Sequence, residues 1–100
     1  MVKKGWDNKQ TNELLEAIML LKTSAEAKDF LRDLLTEHEL VEFGQRWKAV
    51  RMLDSGKPYS EIERTTGLSS RTIARISKWL QTGRGGYGLI LDRWKRKFGE

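Results

Sequence analysis

From Ser69 onward the chain reads Ser69-Ser70-Arg71-Thr72-Ile73-Ala74-Arg75-Ile76-Ser77-Lys78-Trp79-Leu80, with hydroxyls first and cations three or four residues apart. A guanidinium can donate two parallel hydrogen bonds to a guanine edge, and Ser or Thr hydroxyls suit phosphates or bases. At about 100° per residue, Ile73, Ile76 and Leu80 share one helical face while Arg71, Arg75 and Lys78 share the opposite one. That chemistry is recognition of a polyanion, not bond making. Ser69, Ser70, Arg71, Thr72, Arg75 and Lys78 are therefore the candidate contacts to double-stranded DNA, and the helix start adds free N–H groups aimed at phosphate. The competing reading is a helical hairpin with an ordinary solvated basic face.

For such a face to act, its helix must be seated. Ser69 or Ser70 can cap it, Gly67 permits the positive backbone angle of a tight turn, and Leu68 and Ile62 can pack beneath. After Pro58, Ser60-Glu61-Ile62-Glu63 reads as a capping box opening a short helix to about Thr66. A short helix, a glycine turn and a longer helix predict a helix-turn-helix over about residues 60–81. Two more boxes, Thr23 with Glu26 and Thr36 with Glu39, predict helices running to about Leu34 and to Asp54. The first of these should bury Ala27, Phe30, Leu31 and Leu34; the second carries Leu40, Phe43, Trp47, Val50, Met52 and Leu53 and ends on Gly56 in a left-handed cap.

The helix expected from about Asn8 to Lys22 carries Leu14, Leu15, Ile18, Met19 and Leu21 and is apolar nearly all round in its last two turns. One core-facing stripe needs less, so the surplus requires a partner, either the rest of the chain or a second copy. Gly83, Gly85, Gly86 and Gly88 read as a flexible connector; they form no phosphate loop, since neither a preceding strand nor a Gly-Lys-Ser/Thr ending is present. Trp94 and Phe98, four apart among Arg93, Lys95, Arg96 and Lys97, suggest a terminal helix that packs on the assembly or touches phosphates outside the recognition helix. No strand alternation is sustained, and the whole reads as one all-α domain over residues 1–100.

Composition narrows the function classes. Of 100 residues, 38% are hydrophobic and 33% charged, as in a folded globular domain, and the net charge is +5. The charge is uneven: residues 1–50 hold eight basic and nine acidic side chains, residues 51–100 eleven and five. Between Glu63 and Asp92 there is no acid, which favours a polyanionic partner. With no cysteine and the single His38, neither a thiolate or histidine metal site nor a cysteine nucleophile is expected, and no nucleophile elbow points to an enzyme. The longest apolar run, Ala17 to Leu21, is far short of the roughly 20 residues that span a bilayer. Lys3 and Lys4 lead into polar residues, so no signal peptide and a cytoplasmic location are expected.

The chain resembles the Trp repressor superfamily, in particular its Trp-repressor-like (YerC/YecD-type) members, over roughly residues 25–92. The residues carrying the likeness are Leu34-Leu35-Thr36-Glu37-His38-Glu39, Gln45-Arg46, Met52 through Ile62, Thr66-Gly67, Thr72-Ile73-Ala74-Arg75 and Leu80. Gly83-Arg84-Gly85-Gly86-Tyr87 is similar to the glycine-rich segment of the YerC/YecD-type proteins. The resemblance implies an intertwined helical homodimer whose N-terminal helices share a core. It also implies two recognition helices reading half-sites about one DNA turn apart. In the tryptophan-binding members two arginines flank the indole, and the matching positions are Arg46 and Arg75. Ile76 stands where those members have glycine, and Trp79 where they have a small hydroxyl residue. Both side chains would fill the ligand's space, so no tryptophan response is expected.

Two functions follow as expectations. The first is a sequence-specific, homodimeric DNA-binding regulator of transcription, a repressor without a cofactor. The alternative is a helical interaction module whose basic face binds an acidic partner without DNA specificity.

Overall fold

Hydroxyl caps decide where two of the helices begin. Thr23 is extended at φ −135° and ψ 161°, and its Oγ1 accepts the Glu26 N–H at 3.1 Å. Glu26 in turn accepts the Lys22 N–H at 2.9 Å. At Thr36 the box is fully reciprocal: its Oγ1 accepts the Glu39 N–H at 3.1 Å, and the Glu39 carboxylate accepts the Thr36 N–H at 2.9 Å. The Thr36 N–H first and its hydroxyl second hold the Glu39 carboxyl below the ordinary carboxylate range.

The computed structural model describes residues 5–99, and among them six helices and no strand form. They are α1 (Lys9–Ile18), α2 (Ser24–Leu34), α3 (Glu37–Asp54), α4 (Tyr59–Thr66), α5 (Ser70–Thr82) and α6 (Gly86–Phe98). Lys3 and Lys4, on which the absence of a leader was argued, lie outside the described residues. Among the described residues no helix is long and apolar enough to cross a membrane. The all-helical expectation holds. The chain divides into two compact units, one up to Leu40 and one from Val41.

In the first unit α1 is shorter than its apolar run suggested. Asn8 caps it, accepting the Thr11 N–H at 2.8 Å, but it ends at Ile18 rather than near Lys22. The extended Thr23 and the pull of Glu26 on the Lys22 N–H commit the following residues to opening α2. Leu20 and Leu21 therefore close back on Ala17 and Ile18 in tighter three-residue turns. Neither α1 nor α2 contains a buried residue. Ala27, Phe30 and Leu31, expected inside, are half-buried, and Leu34 is exposed. The stripe exists, but within its own unit it stays open.

In the second unit Ala49, Val50 and Met52 of α3, Ile62 of α4, Leu68, Ile73 and Ile76 of α5 and its approach, and Leu91 of α6 form one buried core. Trp47, Leu53, Leu80 and Tyr87 pack against its edge, whereas Phe43, four residues before Trp47 on α3, is exposed. The end of α3 closes as predicted: Gly56 adopts φ +81°, the Lys57 N–H reaches the Met52 carbonyl at 3.0 Å, and the Gly56 N–H reaches Leu53 at 3.0 Å.

Two local expectations are corrected. Pro58, not Ser60, is the cap of α4; Ser60 lies inside the helix and no side-chain capping bond forms. Proline arrives already at φ −71° and ψ 154°, and its carbonyl accepts from Glu61 and Ile62, so the helix starts before Ser60 can cap it. The glycine connector is also shorter, because Gly86 and Gly88 are helical. Gly85 at φ +87° makes the entry, and its carbonyl takes the Leu89 N–H at 3.1 Å.

Candidate nucleic-acid interface

The α4 helix, the turn at Gly67–Ser69 and α5 form a helix-turn-helix whose turn is held by a buried hydroxyl. Thr66 Oγ1 donates to the Ile62 carbonyl at 2.7 Å and accepts the Leu68 N–H at 3.2 Å, so both backbone groups are satisfied without water. Gly67 follows at φ +77°, the left-handed conformation foreseen for it. Leu68 then drops into the core and α5 begins.

Of the two candidate caps, Ser69 takes the role. It is extended at ψ 157°, its Oγ accepts the Thr72 N–H at 3.2 Å, and the same hydroxyl donates to Thr72 Oγ1 at 3.1 Å. Ser70 becomes the first residue of the helix and stays exposed. Ile73 and Ile76 are fully buried and Leu80 partly so. Arg71, Arg75 and Lys78 are exposed, on the side away from those residues at about 100° per residue. Among the described residues none of these three forms an ion pair, which leaves their charge available to an external anion. At the far end Gly83 donates its N–H to the Trp79 carbonyl at 2.9 Å. A Cβ on Gly83 would overlap that carbonyl oxygen, so glycine is required to end α5 there.

The two arginines matched to an effector pocket behave differently. Arg75 is exposed on α5. Arg46, on α3, donates through Nη2 to Glu42 at 3.3 Å, while its buried Nε has no acceptor among the described residues. Ile76 is wholly within the core, and Trp79, one turn beyond Arg75, is 47% exposed.

Three features escaped the sequence reading. Thr66 read only as the approximate end of a short helix, and its burial is what singles it out. Gly83 looked like part of a loose connector. The third is an aromatic seam: Trp47 meets Trp94 edge-on at 5.6 Å, Trp94 meets Phe98 at 4.4 Å, and the Arg51 guanidinium lies 4.7 Å from the Trp94 ring centre. The four-residue spacing of Trp94 and Phe98 was the available signal, and it did indicate the terminal helix.

These elements define an all-helical protein built around a helix-turn-helix. The Trp repressor protein family matches residues 9–95, and the chain belongs to that family, a family of DNA-binding regulators rather than of enzymes. It is 38% identical over 87 residues to the uncharacterised protein YerC of Bacillus subtilis (strain 168), covering 87% of this chain and 84% of that one. Among solved structures, a TrpR-like protein from Eubacterium eligens superposes with a TM-score of 0.83 at 33% identity, covering 88% of this chain and 91% of the other. A protein provisionally described as a Trp repressor from Staphylococcus aureus gives 0.82 at 33% identity, covering 91% and 94%. The resemblance drawn from the sequence is therefore borne out at the level of family and fold.

Proposed function

We propose that the protein is a homodimeric, sequence-specific DNA-binding regulator that represses transcription by occupying its operator in the cytoplasm, with residues 1–100 acting as one functional domain. The observation that carries this reading is the sorting of α5: isoleucines buried beneath, and Arg71, Arg75 and Lys78 exposed above and in no ion pair among the described residues. A major groove admits such a helix, and its leading turn, Ser69 to Thr72, is where base edges are met.

Dimerisation is supported by what one chain leaves uncovered. Met19 is 81% and Leu20 77% exposed, and α1 and α2 bury nothing.

Tryptophan is the ligand that family membership brings to mind, and Arg46 and Arg75 would be the residues to flank it. The side chains present do not suit it. Ile76 is committed to the core, and Trp79, one turn from Arg75, stands where the tryptophan-binding members have a small hydroxyl residue. Operator binding is accordingly independent of free tryptophan. Calorimetric titration with L-tryptophan should give no saturable heat; saturable micromolar-range binding would contradict this.

Fluorescence anisotropy on specific and random duplexes tests the division of labour on α5. Arg71→Ala should cost about 1–3 kcal/mol on the specific site and relax base preference, if it reads a guanine. Lys78→Ala should weaken both duplexes alike and reduce the salt slope by about one. Equal losses on both duplexes for both variants would remove the base-reading role, and no sequence-dependent affinity at all would leave a protein-interaction module.

A further inference from the structure

Apart from the α5 face, the second unit contains a cavity of about 570 Å³ walled by α3, α4 and α6. Each helix gives it one stripe: Lys48, Arg51 and Met52 from α3, with Ser55 just beyond its end, Glu61 and Thr65 from α4, and Leu91 and Lys95 from α6. These spacings of three and four are the ones that bring side chains onto one helical face. Neither Arg46 nor Arg75 lines it, so it is not the position at which the family resemblance places tryptophan.

Its chemistry is directional. Met52 and Leu91, both buried, make an apolar floor. On the wall, Lys95 and Asp54 satisfy each other at 2.6 Å, and Asp54 holds the Lys95 ammonium above its usual range. That pair cancels. Elsewhere on the lining, Lys48 and Lys57 face the single carboxylate of Glu61, a positive surplus over a greasy base. Lys48 and Lys57 form no ion pair among the described residues. A volume within roughly 300–1,000 Å³ suits a small molecule. Lysine ammoniums act as point charges toward a compact dianion, and a hydroxyl such as that of Thr65 can hydrogen-bond its oxygens.

We propose that this cavity binds a small organic phosphate monoester, its ring or short chain on Met52 and Leu91 and its phosphate between Lys48 and Lys57. Because α4 carries the turn on which α5 is seated, such a ligand bridges α3 to the helix-turn-helix and sets the pose of the recognition helix. That regulatory consequence rests on the DNA-binding reading; the binding itself does not.

The test uses the full chain with phenyl phosphate as the probe, followed by backbone amide NMR. Saturable shifts are expected at residues 48–57, 61–65 and 91–95, with a Kd below about a millimolar. Inorganic phosphate, which cannot use the floor, should bind about tenfold more weakly. The double variant Lys48→Gln, Lys57→Gln changes two exposed side chains and leaves the core intact, which its unperturbed core resonances would verify. It should lose about tenfold or more in affinity for phenyl phosphate. No saturable shift, or equal affinity in the double variant, would overturn the site. So would a double variant that loses DNA affinity and salt slope while phenyl phosphate does not bind, since the lysines would then serve the duplex backbone. Anisotropy on an operator duplex with and without phenyl phosphate separates the two readings: ligand binding without any DNA affinity sinks the regulator and keeps the site.

Discussion

The residues up to Leu40 and those from Val41 are written in the same local language, with capped helices and apolar stripes at helical spacing, yet they end in different states. In the second unit the stripes of α3, α4, α5 and α6 meet, and Val50, Ile62, Ile73 and Ile76 vanish from solvent. In the first unit equally clear stripes on α1 and α2 leave Leu15 and Leu34 exposed, as are Met19 and Leu20 just past the end of α1. Caps and periodicity determine a helix within a few residues of themselves, whereas burial needs a complementary surface that can come from elsewhere in the chain or from another molecule. The second unit carries its complement within itself. In the first unit no residue of α1 or α2 is buried, and that asymmetry is the physical reason for proposing that a second copy covers their stripes.

The contrast can be broken from either side. Ile73→Ala opens a cavity in the self-contained core and should lower stability by about 2–5 kcal/mol at every protein concentration. Thermal denaturation checks this, and a loss that disappears on concentrating the protein would mean that this core too is borrowed. Leu20→Ser should act through assembly. Burying one leucine is worth about 1.5–3 kcal/mol, so self-association should weaken by about tenfold or more. The wild-type melting midpoint should then rise with protein concentration, and the variant's rise should shift to higher concentrations. A concentration-independent wild-type midpoint would contradict the reading of the first unit. Thr66→Val sharpens the comparison at the smallest scale. It keeps the volume but orphans the Leu68 N–H, at a cost of about 1–3 kcal/mol in the turn beneath α5. A neutral result in denaturant melts would show that the turn does not depend on that hydroxyl.

Much of this was legible in the sequence, and the misses share a cause. The boxes at Thr23 and Thr36, the left-handed Gly56 and Gly67, and the two faces of α5 all depend on residues within one or two turns of each other. Ser60 misled because it has the right partner at the right spacing, but Pro58 reaches the required backbone geometry two residues sooner. Gly86 and Gly88 misled because composition suggested slack where Gly85 had already turned the chain into α6. The expectation that Ala27, Phe30, Leu31 and Leu34 are buried was a statement about packing partners, and no periodicity contains that information. The candidate DNA contacts were legible as a face, although which serine caps α5 needed the backbone to decide.

Selection of bound sites from random DNA by the purified protein tests the central claim most directly. A two-fold assembly presenting two copies of α5 predicts enrichment of pseudo-palindromic sites with half-sites about 10 base pairs apart, and loss of that enrichment in Arg71→Ala. Recovery of unenriched sequence, or of single asymmetric sites indifferent to Arg71, would contradict it.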